Sequence, residues 1–427
     1  MYNLCLNMIV RNEEENILNT LKNLTDNIKF DYWVICDTGS IDNTKNIILD
    51  FFKNKNIKGK LYDDKWENFS YNRNLAIEKA EKLAKYLFFF DADDYINGNF
   101  RIPKNLEADG YNLIYGNSFH WYRTNIICTK YKWRYKGILH ETIHNLSNNN
   151  INLKVLCGDY YISGNCNGYR SKNKNKYYLD AMLLEKEIIL NTEPELLDRY
   201  TFYCAQSYKD ANCIDKSIEY YEKVLQQNNW NQEKYYSALM LGNLYLKKNI
   251  KDKALHYYFL TNKYDNSRVE GIYMCHELLV NSLTKELQLR LLTCISTDNY
   301  ADPYENKYLF IKSDYHNIFY INKIVKLSFS LKEYFIGYKY LLLQLSRYKK
   351  LTFDDIIINL HNIIIIKENI NNTYELDKYS SLLFNLLNTL KKYLKNYYTN
   401  NMNEENIDNL MKVDKINLNI DKLLFNN

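Results

Sequence analysis

The chain has 427 residues, 46% apolar and 15% aromatic, which is too long for one compact core and predicts two or three globular domains. With 3 Pro and 12 Gly it is not a loop-rich all-β protein. A net charge of +5, from 56 basic and 51 acidic residues, is too balanced to make nucleic acid or a membrane surface the main partner.

In chain order, Leu4 to Val10 is a short apolar run, and Ile17, Leu18, Leu21 and Leu24 then recur at helical spacing. Tyr32 to Cys36 is a second buried-strand pattern, closed by Asp37-Thr38-Gly39-Ser40. Ile41 to Phe52 is helical in period, with Ser40 or Asp42 as N-cap. A third strand is expected at Lys60 to Tyr62 and a helix from Phe69 to Tyr86. Tyr86 to Phe90 is continuously apolar or aromatic and runs into Asp91, Asp93 and Asp94. Strands alternating with helices imply βαβ units and an α/β fold with a parallel sheet, whose ligands bind outside the carboxyl ends of the strands.

Those ends carry polar groups suited to a phosphorylated ligand. Asp37 can accept hydrogen bonds from a ribose or a base. The always-charged fork of Arg73 suits phosphate or base contacts. Asp91-Ala92-Asp93 can hold a hard divalent cation that takes its remaining oxygens from substrate phosphates and water. The alternative for each residue alone is an ordinary cap, surface arginine or acidic turn.

Five stretches in this order, NMIVRNEE, VICDTGSIDNT, WENFSYNRNLAIEKA, LFFFDADD and RYKGILHE, resemble glycosyltransferase family 2 with its GT-A fold, in the form fused to helical repeats. The resemblance covers Leu4 to Glu141. It implies that Arg11, Asn12 and Glu13 lie beside the base and that Asp37 contacts base or ribose. Arg73 and Asn74 would serve the uridine and diphosphate side. Asp91 and Asp93 would hold Mn²⁺ or Mg²⁺ bridging the donor diphosphate, with Asp93 the stronger ligand and Asp91 nearer the ribose. The implied reaction moves a sugar from a nucleoside diphosphate sugar, a UDP-sugar foremost, to a hydroxyl of a glycan or protein acceptor, with inversion by analogy.

The acceptor side is expected in Asn112 to Glu141, where His120-Trp121-Tyr122-Arg123 forms a pocket wall. His140 is the candidate third metal ligand or leaving-phosphate contact. Glu141 is the candidate general base, with Asp94 as the alternative, and His120 and His144 are structural or rim residues. Arg170, with Lys172, Lys174 and Lys176, would form a lid over the diphosphate. Asn165-Cys166-Asn167 stands where related transferases often place a metal-binding His.

From Lys176 onward the pattern is helical. Two tetratricopeptide-like helix pairs are expected, with Ser217 and Ala254 as corresponding small residues 37 apart, slightly above the usual repeat of roughly 34. A third, degenerate unit opens at Val269. Further helices at 323–343, 353–367 and 379–398 would cap the solenoid or form a homodimer contact. The expected division is a transferase domain over 1–175, repeats over 176–285 and a helical extension over 286–427. The 9 Cys are odd in number and lack metal spacing, as free thiols in a reducing compartment would be. With no signal-peptide pattern at the start and no membrane-length apolar stretch, a cytoplasmic protein is expected. The competing reading is a degenerate transferase domain serving as a repeat scaffold. Nucleotidyl transfer would need a Gly-rich phosphate loop, which is absent.

Overall fold

The computed structural model describes residues 2–117, 121–147, 150–164, 173–303 and 307–347. The first half opens β1 (Tyr2–Val10), α1 (Ile17–Asn27), β2 (Tyr32–Asp37), α2 (Thr44–Asn54), β3 (Gly59–Asp63), α3 (Phe69–Ala80) and β4 (Ala84–Phe89). These match the expected alternation except that α3 stops six residues before Tyr86. The cause is the sheet: Ala84 pairs with Tyr2 of β1, and the Tyr2 amide donates to the Leu83 carbonyl at 2.8 Å. Residues 81–83 therefore turn the chain into β4.

Seven strands follow, five in the sheet and two in a small hairpin: β5 (Asp94–Gly98), β6 (Gly110–Tyr115), β7 (Trp121–Cys128), β8 (Trp133–Lys136), β9 (Thr142–Asn145), β10 (Leu153–Val155) and β11 (Tyr160–Gly164). Among the described residues nine strands form one mixed sheet in the order β3-β2-β1-β4-β7-β6-β11-β5, with β10 on β6, while β8 and β9 pair separately. The β3-β2-β1-β4 part is parallel and β7 is antiparallel to both β4 and β6.

Alternate residues of the parallel strands divide the core in two, as period-2 side-chain alternation requires. Leu4, Leu6, Met8, Ile35, Phe88 and Phe90 face α1 and α2. Cys5, Val34, Cys36, Leu87 and Phe89 face α3 and the β8–β9 hairpin through Ala76, Ile77, Trp133 and Tyr135. Trp33 stacks on Phe52 at 4.4 Å, and its ring fills the space that a Cβ at Gly59 would enter.

Downstream come α4 (Lys176–Leu190), α5 (Leu197–Asp210), α6 (Ile214–Gln226), α7 (Asn231–Lys247), α8 (Lys251–Tyr264), α9 (Glu270–Leu279), α10 (Lys285–Leu292), α11 (Tyr320–Ser330) and α12 (Tyr334–Arg347). The chain divides into two compact units, one built on Met1–Leu244 and one opening at Tyr245. In the first, α4, α5 and α6 pack consecutively, and fully buried Ser217 donates to the Ala205 carbonyl at 3.0 Å between α5 and α6. Glu185 of α4 joins the three helices by accepting from Tyr220 at 2.8 Å, Lys216 at 2.9 Å and Tyr208. In the second, Gly271 of α9 lies where a Cβ would meet the Tyr258 carbonyl of α8 at 2.6 Å, so only glycine allows that approach.

The helix expected over 323–343 is two helices. Lys332 takes a left-handed φ of 63° and the chain turns between α11 and α12. The expected helices at 353–367 and 379–398 lie outside the described residues. The eight described cysteines are free thiols, and no described helix is long and apolar enough to cross a membrane.

Candidate active site

Strands β2 and β3 extend the sheet to one side of β1, and β4 lies on the other. The order therefore reverses between β1 and β4, the place where sheets of this kind bind ligands beyond the carboxyl ends of their strands. The segments after β1, β2 and β4, which carry Arg11 to Glu13, Asp37 and Asp91 to Asp94, all leave the sheet at this edge.

The β1 and β2 loops are stapled together. Asn12, with φ 52°, accepts from the Ile41 amide through Oδ1 at 2.8 Å, while its own amide donates to Ser40 Oγ at 2.8 Å. The Glu13 amide donates to Thr44 Oγ1 at 2.8 Å, and the Glu13 carboxylate accepts from Asn16 at 2.9 Å. These contacts make Asn12 and Glu13 struts of the loop pair, whereas Arg11 is exposed. Asp37 is fully buried. Its Oδ1 accepts from the Gly39 and Ser40 amides at 2.9 and 2.7 Å, with Lys45 Nζ at 3.9 Å, and its Oδ2 has no hydrogen-bond partner among the described residues. Gly39, at φ 100°, makes the turn that lets both amides face the carboxylate.

At the end of β4 four side chains alternate in charge: Glu141, Arg73, Asp91 and Arg123. Arg73 Nε donates to Glu141 Oε1 at 2.7 Å and its Nη2 to Asp91 Oδ1 at 2.6 Å. Arg123 Nη1 donates to the other Asp91 oxygen at 2.7 Å. The Arg73 side chain is 7% exposed, Glu141 10% and Asp91 26%, so the charges interact in a largely water-excluded space. Burial alone raises a carboxyl pKa, but the charges of Arg123 and then Arg73 outweigh it and hold Asp91 below the usual carboxylate range. Tyr135 supplies a ring face beneath Arg73, 5.3 Å from its guanidinium carbon. Asn74, next to Arg73 on α3, is spent on structure: its amide donates to the Tyr135 carbonyl at 2.9 Å and accepts the Tyr135 amide at 2.7 Å, pinning β8 to α3.

Asp93 is half-buried. Asp94 is buried instead, because β5 begins there and its alternation turns Asp94 and Ile96 inward. Tyr115 donates to Asp94 Oδ2 at 3.2 Å, and Asn125 donates to the Tyr115 hydroxyl at 2.9 Å. Burial, then the charge of Asp91, raises the Asp94 pKa well above the ordinary value. Asp94, expected as the alternative base, is thus a buried carboxyl held by Tyr115. Because its folded-state pKa exceeds the unfolded one, Asp94 favours folding least at high pH: its contribution is fully present below the unfolded carboxyl pKa and is lost as pH rises through the folded value. Urea denaturation of Asp94→Asn is therefore expected to show a stability that gains on the wild type as pH rises from 5 to 8.5; a difference constant across that range would contradict a protonated Asp94.

His140 is exposed, with φ 53°, and its ring stacks on Tyr203 of α5 at 3.8 Å and 13°. Among the described residues no three of His, Cys, Asp or Glu are grouped to hold a metal, so Asp91, Asp93 and His140 do not form one cluster. Both Asp91 oxygens are engaged by guanidinium groups, which fits a charge-clamped carboxylate better than a cation ligand. His144 bonds Thr142 Oγ1 through Nε2 at 2.8 Å, and burial, then Lys136, lowers its pKa. His120, Arg170 and Lys172 lie outside the described residues. Arg123 is the site residue that sequence reading left in the pocket wall. The signal for it was Arg123 and Asn125 two apart on one strand, placing two polar side chains on the same face beside β4.

Residues 5–177 match the family described as Glycosyl transferase family 2. No curated protein shows significant similarity to the chain. Among solved structures, Staphylococcus aureus TarS 1-349 in complex with UDP-GlcNAc aligns at 15% identity over 71% of this chain and 90% of that one, with a TM-score of 0.30. S. aureus TarS aligns at 14% identity over 71% of this chain and 55% of that one, with a TM-score of 0.29. Global similarity at that level carries nothing further, and the match over 5–177 stands on its own beside a mixed α/β sheet consistent with a GT-A arrangement. Over residues 5–177 the chain is therefore similar to the glycosyl transferases of family 2.

Proposed function

We propose that the chain transfers a sugar from a nucleoside diphosphate sugar, foremost a UDP-sugar, to a hydroxyl of a glycan or protein acceptor with inversion at the anomeric carbon. The observation that carries this reading is the Glu141–Arg73–Asp91–Arg123 array at the carboxyl end of β4 within a family 2 domain. The base and ribose would lie against Asp37 and the stapled β1 and β2 loops. Arg123, 31% exposed, has guanidinium N–H groups beyond the one given to Asp91 and would bind the diphosphate. Glu141 keeps Oε1 on Arg73, while Oε2 has no partner among the described residues and would take the acceptor proton. In that step the acceptor oxygen bonds to the anomeric carbon, its proton passes to Glu141, and the bond from that carbon to phosphate breaks with its electron pair leaving on the nucleoside diphosphate. A Mn²⁺ or Mg²⁺ held by Asp93 and the diphosphate would neutralise charge on the leaving oxygens. Arg73 would hold Asp91 and Glu141 in place through Nη2 and Nε.

In the same reading the helices after residue 176 are tetratricopeptide-like repeats that present the acceptor, with the small buried Ser217 and Ala254 at equivalent places. The division 1–175, 176–285 and 286–427 follows the change of pattern, while the compact units separate within α7. The test is thermal unfolding with UDP plus Mn²⁺, followed by a panel of UDP-sugars assayed for hydrolysis. A ligand that binds only the folded state raises the midpoint. A rise with UDP and Mn²⁺ together, and metal-dependent release of UDP from one sugar, is the expected result. No shift and no hydrolysis with any nucleotide sugar would favour the repeat scaffold.

A further inference from the structure

The loop between β8 and β9, residues 137–141, is held largely by side chains that follow it by about sixty positions. The Ile138 amide donates to Tyr200 Oη at 3.1 Å, and the Gly137 amide donates to Glu193 at 3.3 Å. Tyr200 in turn donates to Glu193, and Lys136 pairs with Glu195 at 2.6 Å. Two Arg199 N–H groups converge on the His140 carbonyl, from Nε at 3.2 Å and from Nη2 at 3.0 Å. The His140 ring lies on Tyr203, and the Arg199 guanidinium sits over the same Tyr203 ring at 4.9 Å. His140 is one residue before Glu141 and occupies the left-handed region at φ 53°, a conformation a non-glycine residue keeps only where its surroundings impose it.

We infer that Arg199 and Tyr203 of α5 are positioning residues: by gripping the carbonyl and ring of His140 they hold its left-handed backbone and so aim Glu141 at Arg73. This rests on the reading of Glu141 as the acceptor-side base. The first long helices after the sheet are then part of the catalytic loop's frame, and His140 is the grip point through which they act. A peptide carbonyl capped by two guanidinium donors cannot rotate without breaking both bonds, and the stacked rings block rotation in the other sense. The Glu141 carboxylate, whose Oε1 must reach Arg73 Nε, depends on that one backbone torsion.

The test uses the full chain with Arg199→Met, Arg199→Lys and Tyr203→Leu. Hydrogen–deuterium exchange is followed in peptides covering 137–142 and, separately, α5. Steady-state UDP release is measured with the UDP-sugar that the panel above hydrolyses fastest. Arg199→Met and Tyr203→Leu are expected to speed exchange in 137–142 while α5 keeps its protection. They should lower kcat on the order of tenfold to a hundredfold, the scale of a misplaced group remote from the reacting bond, with KM for the donor unchanged. Arg199→Lys retains one donor for the carbonyl and should recover most of the rate. Wild-type exchange in 137–142 and wild-type kcat in Arg199→Met would overturn the inference. So would loss of protection in α5 itself, since that marks a general packing role. Glu141→Gln separates the two readings. If it keeps full hydrolysis, the base assignment fails, and the exchange arm alone then decides whether Arg199 and Tyr203 hold the loop.

Discussion

Arg73→Met is expected to abolish transfer and to lower the unfolding free energy by roughly 3 kcal/mol, the lower end of the range for removing one partner of a buried ion pair. The side chain is 7% exposed and bridges two carboxylates, Asp91 at 2.6 Å and Glu141 at 2.7 Å. Without it Glu141 keeps its charge in a water-poor space with no cation on it, and Asp91 retains only Arg123. Lower-end destabilisation follows because Asp91 keeps that second guanidinium. Urea denaturation gives the stability, and a double-mutant cycle with Glu141→Gln gives the coupling: the double variant should recover part of the loss, since the stranded charge is gone. Arg73→Lys should not rescue, because one ammonium cannot replace Nε and Nη2 directed at two different carboxylates. Additive effects in the cycle, or wild-type stability in Arg73→Met, would show that the array is not energetically coupled.

Glu141→Gln is expected to lower kcat by about 10² to 10⁴, the usual contribution of a positioned general base, with little change in KM for the nucleotide sugar. The amide keeps the side-chain volume and can still accept from Arg73 Nε, so the fold should survive with a melting point near the wild type. A variant with kcat within a few fold of wild type would mean that Glu141 serves only to hold Arg73, and the acceptor proton would have to leave by another group.

Much of the site was legible as a set of residues but not as a set of contacts. Asp37, Arg73 and Asp91 stood out because each ends or opens an element where a parallel sheet binds its ligands. Their partners did not. Arg73 and Asp91 are 18 positions apart and Arg73 and Glu141 68, and no local period links such pairs. Asn12 and Asn74 carry side chains of the right type for a ligand. Both are consumed by backbone groups, of Ile41 and of Tyr135, that become neighbours only when two loops, or a helix and a strand, are brought together. The burial of Asp94 escaped sequence reading for a different reason. The start of β5 was not recognised, and with it the inward alternation of Asp94 and Ile96 that buries the carboxyl.

The amino-acid sequence by itself determined the alternation of strands and helices through β4, the acidic end of the buried β4 run and, among the described residues, the free thiols and the helices after Lys176. These follow from short-range properties: apolar runs and helical spacing that act within a few residues, whereas α2 is capped at Asn43 rather than at the expected Ser40 or Asp42. Only the tertiary structure decided the partners. It placed two guanidinium groups on Asp91, turned His140 onto Tyr203, and set Arg199, some sixty residues later, on the His140 carbonyl. Which charges meet is set by sheet order and strand register, and those depend on packing summed over the whole domain rather than on any stretch of chain.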